Sequence, residues 1–251
     1  MTKYIESDDI QFSIILYLPK TATLTFTDFY QRLENALKAY QDSFDSNMCW
    51  YLFKNTVKVK PEELVYSPEG FTDFGMKKLA LAYQKIEKNN DTQIFFIDGE
   101  HKSSGQVITY DVDKSFFDDA LISSEIDFFF TKFEDLQLLK QITTFVTKLA
   151  NVFTDSYIEI DLIHLFPRSK NIFPKRIGTS LIVYIPAPLN AKDYPEAHKI
   201  IPINQNDKQV GTVIVSLDHF PFFKNIEDVK TMNRLDVRLR EADLLPERSN
   251  L

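Results

Sequence analysis

Apolar residues along the chain recur with two different periods, and each change of period marks a new element. Gln11 to Leu18 (QFSIILYL) sets Phe12, Ile14, Leu16 and Leu18 on one side. This is the alternation of a strand with one buried face, and Pro19 is expected to stop it. From Thr27 the spacing becomes three and four. Phe29, Leu33, Ala36, Leu37, Tyr40 and Phe44 draw the stripe of an amphipathic helix, which Thr27 or Asp28 can cap. Met48 to Val59 reads as two extended segments, and Pro61 to Thr72 as a loop turning at Ser67-Pro68-Glu69-Gly70. Helical spacing returns over Phe74 to Lys88 through Leu79, Tyr83 and Ile86.

Three strands are predicted next, at Gln93 to Ile97, Gln106 to Val112 and Glu125 to Phe130, the first two separated by the hairpin-loop composition of Asp98 to Gly105. Phe133 to Phe153 is the clearest helix, striped by Leu136, Leu139, Ile142, Phe145, Val146 and Leu149. Tyr157 to Ile163 alternates as a half-buried strand. Ser180 to Ile185 and Gly211 to Leu217 are apolar throughout, which predicts burial on both faces. A closing helix begins after Asn225, with Glu227 and Asp228 early and Arg238 and Arg240 late, all favourable to its dipole. Without strict β-α-β alternation the class is α+β: a mixed, largely antiparallel sheet or sheets with about four helices packed against them. No Gly/Ser-rich linker divides residues 1–251, so one compact unit is expected, with a loose two-part organisation about residue 123.

Composition narrows the chemistry. Only 6 of 251 residues are Gly, against roughly 18 at average usage, while 22 are Phe. Glycines let a backbone wrap phosphates, so their scarcity weighs against nucleotide binding, and neither G-x-G-x-x-G nor a P-loop occurs. A G-x-S-x-G elbow is absent as well. A single cysteine, Cys49 in the apolar run Met48 to Tyr51, permits no internal disulfide and reads as a buried structural thiol. The N-terminus carries Glu6, Asp8 and Asp9 with no apolar core of a signal peptide, which points to the cytoplasm.

The four histidines, His101, His164, His198 and His219, form no paired metal motif. Glu159 and Asp161 project from one face of a strand, as do Asp111 and Asp113. Such pairs suit Mg²⁺, yet they equally form the polar side of an amphipathic strand, and no metal or cofactor is expected. Glu100-His101-Lys102 echoes a nuclease carboxylate–lysine core but sits in a polar turn within acidic surroundings, so a nuclease is rejected. Phe128-Phe129-Phe130 and Phe222-Phe223 lack interleaved Lys or Arg and read as core rather than a base-stacking surface.

The formal net charge of −7 is concentrated. Residues 98–161 hold 13 acidic and 5 basic side chains, a net −8, whereas residues 162–251 are net +3. A surface this acidic repels nucleic acids and membranes and attracts a basic protein.

The C-terminal segment resembles the immunity protein 52 family of bacterial polymorphic-toxin systems. The resemblance runs over about residues 157–246 through an ordered series: Phe166-Pro167-Arg168, Phe173-Pro174, Gly178, Tyr184-Ile185-Pro186, Pro195-Glu196-Ala197 and Ile201-Pro202-Ile203. It continues through Lys208 to Ser216, Asn225 to Val229, Asn233 to Leu239 and Asp243-Leu244-Leu245-Pro246. It implies a cytoplasmic, non-enzymatic protein that binds and neutralises a cognate toxin, often a DNase of restriction-endonuclease type delivered by type VI secretion. It transfers no binding residues.

A basic-clefted DNase and an acidic inhibitor are complementary, so the expected toxin-binding surface comprises Asp111, Asp113, Asp118, Asp119, Glu125 and Asp127, with Phe116 and Phe117 as aromatic anchors. The expected partner is the toxin domain, not nucleic acid or membrane, and homo-oligomerisation stays open. The alternatives are a carboxylate- and metal-dependent hydrolase built on Glu159 and Asp161, and a scaffold binding a small ligand in an aromatic pocket.

Overall fold

The computed structural model describes residues 11–44, 47–52, 60–89, 91–98, 106–114, 121–131, 136–161, 172–173, 175–179, 181–221 and 225–251. The elements run β1 (Gln11–Thr21), α1 (Phe26–Phe44), β2 (Trp50–Leu52), β3 (Leu64–Ser67), β4 (Gly70–Phe71), α2 (Asp73–Asn89), β5 (Asp91–Asp98), β6 (Val107–Lys114) and β7 (Ile122–Thr131). They continue as α3 (Leu136–Val152), β8 (Tyr157–Asp161), β9 (Ile182–Ile185), β10 (Lys199–Gln205), β11 (Lys208–Val215) and α4 (Ile226–Glu241). The strands form one sheet in the order β10-β11-β9-β8-β1-β7-β6-β5-β2-β3-β4. Every neighbouring pair is antiparallel, so the fold is α+β. Among the described residues no helix is long and apolar enough to cross a membrane.

Alternation in β1 decides what each face of the sheet does. Phe12, Ile14, Leu16 and Leu18 enter the larger core, beneath α1, α2 and α3. Tyr17 enters a smaller core on the opposite face, with Ile15 packed against it. The large core is aromatic at its centre, which accounts for much of the phenylalanine excess. Tyr40 of α1 lies 5.5 Å from the Trp50 ring and 5.5 Å from Phe145 of α3, both edge-on. Phe128 of β7 meets Phe145 at 4.9 Å, and Phe12 stacks on Phe130 at 4.8 Å. Each such ring contributes about 2–3 kcal/mol through burial. On the other face, Leu235 and Leu239 of α4 pack with Val183, Ile185, Ile214 and Tyr17.

Local chemistry explains where the elements depart from the patterning. Pro19 does not end β1, which runs to Thr21. The ladder is irregular between Leu18 and Thr21, and Pro19 is exposed there, so its missing N–H costs no ladder bond. The cap of α1 is Thr25 rather than Thr27 or Asp28. The Thr25 hydroxyl accepts from the Asp28 amide at 3.1 Å, and the Asp28 carboxylate accepts from the Thr25 amide at 3.2 Å, a reciprocal box. The stretch 61–72 is not a plain loop: it folds as the β3–β4 hairpin around the expected turn. Strand β10 replaces a stretch that Pro202 disguises. Pro202 pairs with Thr212 on an edge strand, where a residue without an N–H is tolerated. The β10–β11 turn uses Asn206 and Asp207 at φ 49° and 61°, the positive-φ pair of a type I′ hairpin. Asn225 caps α4 as expected, accepting from the Glu227 amide at 3.2 Å.

Gly211 lies flat beneath the Tyr184 ring, where an added Cβ would overlap the ring atoms. The Tyr184 hydroxyl is in turn anchored on the Thr154 carbonyl at 2.7 Å, so the ring cannot swing aside without losing that bond. Gly211→Ala is expected to destabilise the fold by about 2–3 kcal/mol, measured as a lower denaturant midpoint at unchanged m-value. The double variant Gly211→Ala/Tyr184→Leu should lose less than the sum of the two single changes.

Candidate functional site

Strands β5, β6 and β7 alternate, except that Ile97 is buried beside Phe96 at the end of β5. Ile94, Phe96, Ile108, Tyr110, Val112, Ile126, Phe128 and Phe130 are buried under the helices. The intervening residues face the other way, and among the described residues no helix covers them. The ladder registers place Gln93, Asp111, Glu125 and Tyr17 in one row across β5, β6, β7 and β1. Asp91, Asp113 and Ser123 form the next row, and Phe95, Thr109, Asp127 and Ile15 the row beyond. Asp91 and Asp113 are exposed; Asp111, Glu125 and Asp127 are half-buried. One sheet face therefore presents five carboxylates, and Phe95 adds an aromatic ring that is 38% exposed.

Of the expected toxin-binding residues, the structure brings Asp111, Asp113, Glu125 and Asp127 onto this face. Phe116, Phe117, Asp118 and Asp119 lie outside the described residues, as do Glu100-His101-Lys102 and most of the loop that holds them. The grouping by position in the chain missed Asp91, which the fold adds to the row beside Asp113. Its signal was the alternation in Asp91-Thr92-Gln93-Ile94-Phe95-Phe96, which sets Asp91, Gln93 and Phe95 on one side.

At the β1 side of this face, residues 248–251 fold down and close a cleft of about 700 Å³. Asp91, Asp111, Asp113 and Glu125 line it, with Tyr17 and Arg248 at its inner wall. Arg248 does not neutralise these acids, because its fork is committed to Glu159. Its Nε and Nη2 donate to the two Glu159 oxygens at 2.9 Å each. The Tyr17 hydroxyl donates to the same carboxylate at 2.6 Å, and the Gly178 amide at 3.2 Å. Glu159 is 2% exposed and satisfied by these four bonds. That is a structural ion pair, and it removes one member of the Glu159–Asp161 combination considered for a metal. Among the described residues no group of three or more His, Cys, Asp or Glu side chains converges as a metal site. Cys49 is half-buried rather than buried.

Burial shifts the acids upward, and neighbouring carboxylates add to it at Asp127 and Glu125. Burial, then the neighbouring Glu125, Asp161 and Asp111 carboxylates, push Asp127 up to about 7, although Ser13 donates to its Oδ2 at 3.1 Å. Its Oδ1 has no hydrogen-bond partner. Burial raises Glu125, with Asp111 and Glu159 adding to the effect, and burial also raises Asp111 against a hydrogen bond from Gln93.

Residues within the segment of family resemblance are occupied with holding the fold. Arg238 of α4 clamps Glu196 through Nε at 2.9 Å and Nη2 at 2.7 Å. Asp236 accepts from the Thr179 amide at 2.7 Å, and burial pushes it up to about 6. Asn225 donates to Asp228 at 2.7 Å, and His219 lies between Asp218 (2.7 Å) and Asp228 (3.2 Å), which raise its pKa.

Two consequences can be measured. Arg248→Ala leaves a buried carboxylate without its counter-ion and is expected to cost about 3 kcal/mol of stability. Glu159→Gln/Arg248→Met, which removes the charge as well, should unfold at a higher temperature than Arg248→Ala alone. The raised acids set a pH dependence. Asp127 at about 7 and Asp236 at about 6 bind protons more tightly folded than unfolded. Their contribution is complete below the unfolded carboxylate range and is lost as pH rises through 6 and 7. The melting temperature should therefore fall between pH 5.5 and 8, and Asp127→Asn should remove about 1–2 kcal/mol of that fall.

No family model matches the chain, and no curated protein matches it. Among solved structures the chain is similar to the Pseudomonas aeruginosa T6SS protein PA0821, at 12% sequence identity and a TM-score of 0.49, over 93% of this chain and 76% of that one.

Proposed function

We propose that the protein is an immunity factor that binds a basic toxin domain on its open acidic sheet face and neutralises it. The observation that carries the reading is the side of β5, β6 and β7 that no described α-helix covers. Five carboxylates share it, and their partners in the ladder are polar, apolar or acidic but never basic. Acids held this close repel one another. Burial raises Asp127, Glu125 and Asp111, and neighbouring carboxylates add to it at Asp127 and Glu125, a cost that a cationic partner relieves by supplying further counter-charge. Phe95, exposed among them, offers the aromatic anchor that a docking surface uses.

The resemblance of residues 157–246 supplies the biological setting of this reading. The toxin is a DNase of restriction-endonuclease type delivered by type VI secretion, and the protein acts by occupation rather than catalysis in the cytoplasm. A DNase cleft is basic because it must hold a phosphate backbone, so an acidic sheet face matches it in sign and gains a fast association rate.

The test is binding to a toxin domain, which this reading expects to be encoded beside this gene. Substituting Asp91, Asp111, Asp113 and Glu125 together by Lys should slow association and raise Kd at least about tenfold, with loss of protection in toxin-expressing cells. Circular dichroism controls for folding. Unchanged affinity together with unchanged protection would overturn the proposal.

A further inference from the structure

Helices α2, α1 and α3 lie in a row on the buried face of the sheet, α1 touching both of the others, and α3 covers β9, β10 and β11. The last helix of the row, α3, thus reaches the edge strand β10. Between α3 and the β10–β11 hairpin a groove of about 660 Å³ remains. Its floor is Leu139, Ile201 and Val215, and its α3 wall is Thr143, Thr144 and Thr147. All three threonine hydroxyls donate to carbonyls one turn back, at 2.7, 2.9 and 2.7 Å, so their hydrogens are committed within the helix. The groove is apolar at its base.

Its rim is cationic in a chain of net charge −7. Lys140 on α3 and Lys199 on β10 are exposed, with His198 beside them, and neither lysine has an ion-pair partner among the described residues. Lys148 is held on the α3 wall by the Asp42 carbonyl at 2.8 Å and its carboxylate at 3.7 Å. The acid in the lining, Asp218, is engaged by His219.

We propose that this groove docks an acidic amphipathic helix of a protein partner, laid between α3 and the β10–β11 hairpin. An apolar stripe fills the floor, and carboxylates flanking the stripe meet Lys140 and Lys199, the helix-in-groove mode of recognition. Two other occupants fit less well. An added strand would pair with the edge of β10, where Pro202 offers no N–H. A nucleic-acid backbone would satisfy the lysines and leave Leu139, Ile201 and Val215 facing phosphate. The groove opens on the face opposite the acidic one, so it does not depend on the immunity reading, and both surfaces can be engaged together.

The experiment titrates the isotopically labelled full chain with a synthetic four-turn peptide, leucine on one face and glutamate on the other. Amide resonances of Leu139, Thr143, Ile201 and Val215 report the site, and the controls are the same peptide with lysine for glutamate and a single-stranded oligonucleotide. Saturable shifts at those residues, weakened at least about tenfold by Lys140→Glu/Lys199→Glu and by high salt, are expected. Because both lysines are exposed, the double variant should retain the native spectrum. Absence of shifts with the acidic peptide, equal binding of the lysine peptide, tighter binding of the oligonucleotide in the groove, or indifference to the double substitution would overturn the proposal.

Discussion

The sheet has two faces and the helices are shared unequally between them. Three helices bury one face around the Tyr40–Phe128–Phe145 aromatic centre. A single helix, α4, buries part of the other. Because side chains alternate along a strand, burying one side of β5, β6 and β7 forces the residues between to the other side. The aromatic core and the acidic surface are consequences of one alternation. A one-residue slip in any of these ladders would exchange Phe128 for Asp127 or Tyr110 for Asp111, and the core would take a carboxylate in place of a ring.

Where the covered and uncovered parts of that second face meet, the Glu159–Arg248–Tyr17 node fixes the boundary. It joins β8 to residues 248–251 across 89 positions of sequence and to β1 across 142. The node makes the inner wall of the acidic cleft while keeping its own positive charge out of it. A buried pair of this kind adds little net stability compared with an apolar replacement, but it holds the terminal segment at one place on the sheet. The acids beyond it share their cleft with one lysine, Lys20, and outnumber it, which is the electrostatic property the proposed toxin contact uses.

Much of the architecture was legible in the residues. The stripes at three and four identified the first three helices, the Asn225 cap and its flanking charges identified the fourth, and the alternating runs identified β1, β5, β6, β7 and β8 within a few positions. These signals are strong because each element buries one side against a continuous core. The failures share a different cause. Pro19 read as a break, and Pro202 hid β10, because the tolerance of each depends on which strand has a neighbour, and pairing is not a local property. The β3–β4 hairpin escaped because its strands are too short to show a period.

The candidate site divides in the same way. The chain alone determined that its negative charge is concentrated, that Asp111, Asp113, Glu125 and Asp127 sit at alternate positions, and that glycine-dependent phosphate motifs are absent. Only the tertiary structure decided that these four share one face, opposite the three-helix layer, and that Asp91 joins them from β5. It also decided that Glu159, equal to them in the sequence, is taken out of the group by Arg248. The reason is physical: spacing within a strand fixes which side a residue takes relative to its neighbours. Which side is covered, and by what, depends on how distant segments stack on the sheet.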